Sequence, residues 1–256
     1  MIPFGDDLPT VRNPWMTWAL LATTLVAWLY FQGGGWSERL LIQSTCNFGM
    51  IPGEITHLAP VGSGVRVSRF ATCLIDDDAI NRFTPLLSIF LHGSWLHLLG
   101  NSLYLWIFGN NVEDAMGPWR FLVFYLLCGV AAAAAHVLTN PASPVPTIGA
   151  SGAISGVLGA YLLLYPKVRV RTWFPPIFFF RVPAWIMLPL WFASQVASGL
   201  SQMSPLRPEV TGGVAVWAHV GGFLAGLALI HLFTRPAYLA QIRAARGLAA
   251  RVWAAE

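Results

Sequence analysis

The residues with chemistry to offer are the few polar side chains inside long apolar stretches. Ser151 lies in "GASG" at 149–152, at the head of an apolar run that continues to Tyr165. His219 precedes Gly222 and Gly226 in "AHVGGFLAG", three and seven residues on. His97 and Asn101 are four apart in "HLLGN", so on a helix they share one face. In lipid a polar side chain is costly unless it is satisfied or used. A neutral imidazole beside a serine can take its hydroxyl proton and make it a nucleophile. Two side-chain donors aimed at one point suit a developing oxyanion. The free N–H groups of a helix start add further donors. Each group alone also has a packing role. Ser151, Ser155 and Gly159 form a small-residue stripe that can pack helices, and His97 and Asn101 can bond neighbouring helices. His219 alone can be structural or line a pore.

The elements that position these groups follow from composition. The chain has 256 residues, 56% hydrophobic and only 10% charged. Soluble domains carry about a quarter charged residues, so a multi-pass membrane protein is expected, with the lipid bilayer as its solvent. The net charge of +4 is spread over loops and tail. No basic stripe with interleaved aromatics points to nucleic acid. Cys46, Cys73 and Cys128 have no metal-site spacing, and no phosphate or dinucleotide fingerprint is present. Neither a metal nor a cofactor is expected.

Six apolar segments free of Asp, Glu, Lys and Arg stand out: 15–31, 96–112, 121–138, 151–165, 183–200 and 215–233. Several are near the lower limit of about 17–25 residues for a spanning helix. The second is expected to run on to about Ala115. The first lacks the basic start and cleavage site of a signal peptide and reads as a retained helix. With the N-terminus inside, Arg12, Arg120, Lys167, Arg169, Arg171, Arg181, Arg235, Arg243, Arg246 and Arg251 fall on the inner side. Arg39, Arg66, Arg69, Arg82 and Arg207 fall outside. The positive-inside rule favours this orientation, with both termini cytoplasmic. The expected fold class is an all-α integral membrane bundle of six spans with a long first outer loop. Residues 1–14 form the N-terminal segment, 15–234 the membrane domain and 235–256 a basic tail. The outer loop covers 32–95, and its end, 84–95, is too short to span and reads as interfacial or re-entrant. The fourth loop, basic then aromatic, is expected along the inner membrane surface. The tail reads as a surface helix or a frayed end.

The alternating topology puts His97, Asn101, Ser151 and His219 toward one side of the membrane at similar depth. From Ser151 to Tyr165 a helix reaches only about 22 Å, against a hydrocarbon core of about 30 Å. If it reaches the inner surface, Ser151 lies below the outer one. No carboxylate stands in the six apolar segments, so the chemistry this constellation fits is a Ser–His dyad rather than a triad.

Four motifs in order carry a resemblance that covers about 84–234. "HLLGN" at 97–101, "GNNVEDAMG" at 109–117, "GASG" at 149–152 and "AHVGGFLAG" at 218–226 resemble the HxxxN, GxxxExxxG, GxSG and AHxxGxxxG motifs of the rhomboid family of intramembrane serine proteases. The resemblance implies Ser151 as nucleophile, His219 as base, and His97, Asn101 and the Ser151 N–H as oxyanion hole. It implies transmembrane proteins as substrates, cleaved near the outer ends of their helices, without metal or cofactor. Gly109, Glu113, Gly117, Gly149, Gly152, Gly222 and Gly226 are then structural, with Glu113 accepting hydrogen bonds from a loop. Trp191 and Phe192, near Pro189 on the fifth span, resemble the family's lateral gate region, and bulky packing against lipid explains them equally well.

One departure concerns the histidine. Some bacterial relatives place a tyrosine four residues after the serine, stacked on the catalytic histidine, and here that position is Ser155. Two other readings remain. A catalytically inactive rhomboid-like protein that binds membrane clients is expected to lack the serine or the histidine. A small transporter is expected to keep an ionisable group in mid-membrane and internal symmetry. Cys46 and Cys73 share the outer loop and can pair in an oxidising compartment, whereas Cys128 reads as packing. A compact chain without an organelle presequence points to a bacterial inner membrane.

Overall fold

Backbone N–H and C=O groups in lipid must find partners within the chain, and helices satisfy them locally. The computed structural model describes residues 2–68, 71–202 and 215–253. Arg69 and Arg207, and the side chain of Arg251, lie outside the described residues. In chain order the elements are β1 (Ile2–Asp6), α1 (Trp15–Tyr30), α2 (Glu38–Phe48), α3 (Pro52–Ile55), β2 (Gly64–Arg66), β3 (Thr72–Leu74), α4 (Thr84–Leu87), α5 (Trp95–Tyr104), α6 (Asn110–Met116), α7 (Pro118–Thr139), α8 (Ser151–Leu164), β4 (Arg169–Phe174), β5 (Phe178–Pro183), α9 (Ala184–Gln202), α10 (Val216–Phe233) and α11 (Pro236–Trp253).

A π-helical segment, Leu105–Gly109, joins α5 to α6, so the helix that begins at Trp95 continues to Met116. Two helices, α7 and α10, are long and apolar enough to cross a bilayer by length and composition. α1 and α8 are apolar but shorter. α8 is buried along its whole length from Gly152 to Tyr161, as expected of a helix apolar on every side. Gly152, Gly156 and Gly159 let α10 and α7 close on it: a Cβ at Gly222 would overlap the Gly152 carbonyl, one at Gly226 the Gly156 carbonyl, and one at Gly156 the Cys128 side chain. α9 is the looser partner, with only Ala184, Met187, Leu188 and Gly199 buried and Pro189 inside the helix.

The chain is mostly helical, and two small sheets depart from the all-α expectation. β4 and β5 form a hairpin, and β1 adds to β4, pairing Ile2 with Trp173 and Asp6 with Val170. The alternation is a strand's: Val170 and Thr172 are fully buried while Arg169 and Arg171 are exposed. The fourth loop is therefore a hairpin, not merely an irregular surface segment. The N-terminal segment is likewise built into the bundle. Tyr161 Oη donates to Asp6 Oδ2 at 2.6 Å, and Arg12 pairs with buried Asp114 at 2.9 Å.

The long segment between α1 and α5 is folded. Cys46 and Cys73 form a disulfide that ties α2 to β3. Met50 and Thr147 exchange backbone hydrogen bonds of 3.0 and 2.8 Å, and Gly53 N donates to Ser143 O at 2.9 Å. This loop thus braces 139–150, the segment that leads into Ser151. The tail is helical: α11 docks at the same end as Asp114, with Ile242 buried and Arg235 N donating to Ala115 O at 3.0 Å.

Candidate active site

Ser151 is the first residue of α8, and its backbone N–H has no partner within that helix. The turn before it depends on Gly149, whose φ of +126° is open only to glycine. Gly149 N donates to Ser88 O at 2.9 Å, which ties the turn to the segment before α5. His219 lies in the first turn of α10, 8% exposed.

The close α8–α10 approach brings these two together. His219 Nε2 lies 2.7 Å from Ser151 Oγ. On its other side His219 Nδ1 lies 2.8 Å from Gln195 Oε1 of α9. An amide oxygen only accepts, so the tautomer that satisfies this contact has its proton on Nδ1 and leaves Nε2 to accept from the serine hydroxyl. Trp191, one turn before Gln195, sets its ring 6.0 Å from the imidazole at 35°. Ser155, where a stacking tyrosine was absent, donates instead to the Ser151 carbonyl at 2.6 Å.

His97 and Asn101 of α5 stand against the same turn. A Cβ at Gly149 would lie 2.8 Å from His97 Nε2 and 3.7 Å from Asn101 Nδ2. Only a glycine admits the His97 ring so close. The His97 ring accepts from Gly93 N through Nδ1 at 3.4 Å, which leaves Nε2 as the N–H side. Asn101 Nδ2 is engaged by His92 Nε2 at 2.9 Å, and its second hydrogen remains. His92 is fully buried, held by a reciprocal pair with Gln32: Gln32 Nε2 to His92 O at 2.7 Å and His92 N to Gln32 Oε1 at 2.8 Å. Chemically, the arrangement offers a hydroxyl with a proton acceptor and, beside it, donors able to receive negative charge.

The remaining motif residues hold the frame. Glu113, 2% exposed, accepts from Met16 N at 2.9 Å, Thr17 N at 2.7 Å and Thr17 Oγ1 at 2.8 Å. It caps the first turn of α1, whose Pro14 N-cap offers no side-chain bond, rather than a loop. Gly117, at φ +82°, turns the chain from α6 into α7. Gly109 sits in the π segment, where a Cβ would meet Leu105 at 2.8 Å and Thr17 Oγ1 at 3.4 Å. Phe192 stacks on Phe223 with centroids 4.6 Å apart, so the aromatic pair on α9 lies against α10. Among the described residues, no group of three or more His, Cys, Asp or Glu side chains is placed to hold a metal ion.

Sequence reasoning missed Gln195 and Gln32, and it set His92 on the substrate approach with no part in the chemistry, whereas the structure buries it against Asn101. A signal for Gln195 was present: it is a polar side chain in an apolar span, the criterion that found Ser151 and His219.

The sequence around this site matches a known class. A rhomboid domain family model matches residues 81–236. The chain belongs to the rhomboid family, whose members are membrane-embedded. It is 34% identical over 144 residues to the rhomboid protease GluP of Bacillus subtilis, covering 56% of this chain and 25% of that protein. It is 31% identical over 158 residues to RHOMBOID-like protein 5 of Arabidopsis thaliana, covering 61% and 46%. It is 30% identical over 157 residues to the mitochondrial rhomboid protein 1 of Saccharomyces cerevisiae, covering 59% and 42%. The matched stretch thus spans less than half the length of each of these relatives.

Proposed function

We propose that the chain is an intramembrane serine endopeptidase that cleaves transmembrane segments of membrane proteins. The observation that carries this reading is the 2.7 Å contact between Ser151 Oγ and His219 Nε2. Ser151 Oγ attacks the scissile carbonyl as Nε2 takes its proton. The oxyanion is received by His97, Asn101 and the Ser151 N–H. His219 returns the proton to the leaving amine, and water, activated by the same imidazole, releases the acyl group. No third carboxylate is needed for these steps to balance.

In this reading six spans cross the bilayer: α1, the α5–α6 helix, α7, α8, α9 and α10. Both termini are cytoplasmic, in a bacterial inner membrane, and Ser151 faces the outer side. The disulfide in the first outer loop supports an oxidising compartment there. At about 21 Å, α8 is short for the membrane, which supports a serine recessed below the outer surface and reached by water. The aromatic residues Trp191 and Phe192 of the less buried α9 flank the side from which a substrate helix enters.

The test is labelling of the purified protein with a serine-reactive fluorophosphonate, followed by peptide mapping. An adduct on Ser151, absent in Ser151→Ala and in His219→Ala, is expected. A folded protein that gives no adduct, under conditions where another intramembrane serine protease is labelled, overturns the reading in favour of an inactive client-binding protein.

A further inference from the structure

We infer that Gln195 is the positioning residue that sets the tautomer of His219, so that the unit is a Ser151–His219–Gln195 triad rather than an isolated dyad. This rests on the reading of Ser151 and His219 as nucleophile and base.

Three observations fix Gln195 in place. Its amide is oriented by its own neighbours: Ser194 Oγ donates to Trp191 O at 2.6 Å, and Gln195 Nε2 donates to Ser194 Oγ at 3.3 Å. With its hydrogen spent on a carbonyl, Ser194 Oγ can only accept, so the NH2 end of the amide faces Ser194 and Oε1 faces His219. Reversing the amide would put a donor against Nδ1. The imidazole would then carry its proton on Nε2, pointing at Ser151, and could not act as a base.

The second observation is the register of the two helices. Trp191, Gln195 and Gly199 recur every four residues and form one face of α9. Trp191 meets Phe223 at 6.1 Å, Gln195 meets His219, and a Cβ at Gly199 would touch the Trp217 ring at 2.9 Å. Antiparallel packing above and below therefore holds the amide level with the imidazole. Third, Trp191 limits rotation of the ring. Aromatic packing and an amide thus do, from α9, what a stacking tyrosine on α8 would do from the other side. The partner that keeps His219 competent sits on a different helix, so the base is set only while α9 is seated on α10.

The experiment compares wild type, Gln195→Leu and Gln195→Glu as full-length protein in micelles. Fluorophosphonate labelling rate is read against pH, with thermal unfolding as the check on folding. Gln195→Leu keeps the volume and removes the acceptor, and labelling is expected to slow at least about tenfold, the worth of one hydrogen bond of about 1.4 kcal/mol. Gln195→Glu keeps an acceptor and is expected to label near the wild-type rate near neutral pH. Folded Gln195→Leu that labels at the wild-type rate, or folded Gln195→Glu as slow as the leucine variant, overturns the inference. Nitrogen-15 shifts of histidine give a readout independent of activity: protonated Nδ1 in the wild type, mixed tautomers in Gln195→Leu. A wild type that never labels defeats the protease reading, and the imidazole shifts still decide the tautomer: protonated Nε2 in the wild type refutes the role of Gln195.

Discussion

The carbonyl of Gly152, the residue after Ser151, lies against the Cα of Gly222, one turn after His219. No side chain separates α8 from α10 at this level, and the distance between the two reactive groups depends on that. Gly222→Ala is expected to push the helices apart. The cost of such overpacking is about 1–3 kcal/mol, and labelling of Ser151 should fall with it. Thermal unfolding in detergent and fluorophosphonate labelling check both. Unchanged labelling with a lowered Tm would show that the packing does not set the Ser151–His219 distance.

Removing the Glu113 carboxylate leaves Met16 N, Thr17 N and Thr17 Oγ1 without their acceptor in a buried place. Glu113→Ala is expected to destabilise by about 3 kcal/mol, read as a drop in Tm. At a temperature where the variant is folded, Ser151 should label normally, because the loss is at the start of α1.

Asn101→Ala and His97→Ala are expected to lower kcat on a transmembrane substrate by about a hundredfold each, with KM little changed, as for other single oxyanion donors. Steady-state kinetics in liposomes measure this. A change confined to KM would assign these side chains to substrate binding instead.

Glu54, 5% exposed in the long segment between α1 and α5, has its carboxyl pushed up from 4.5 to about 7, first by burial, with Asp76 and Asp78 adding and the Asp76 N–H bond opposing. The folded chain keeps this proton where the unfolded chain has lost it. Its contribution to stability is full below 4.5 and is lost as pH rises through about 7. Glu54→Gln, which cannot ionise, is therefore expected to gain Tm over the wild type between about pH 5 and about pH 8. An equal difference at both ends would refute it.

Ser151, His219, His97 and Asn101 were legible in the sequence for a local reason. A bilayer makes every polar residue in an apolar run conspicuous. Glu113 was legible as a residue, but its partners on α1 were not. Its bonds close a loop of nearly a hundred residues, and no local pattern encodes that. The strand alternation of "RVRT" at 169–172 was there to read, yet its pairing with β1 joins the two ends of a long stretch of chain.

What the sequence by itself determined is the class of the chain, an apolar, mostly helical member of a membrane-embedded family with a serine, two histidines and an asparagine set in its apolar runs, because composition and hydrophobic runs act along the chain. What only the tertiary structure decided is which side chains meet: the Cys46–Cys73 bridge, His92 on Asn101, and above all Gln195 on His219. Those contacts are set by the rotation and register of helices packed through glycine, and a shift of one residue in register would give each imidazole a different partner.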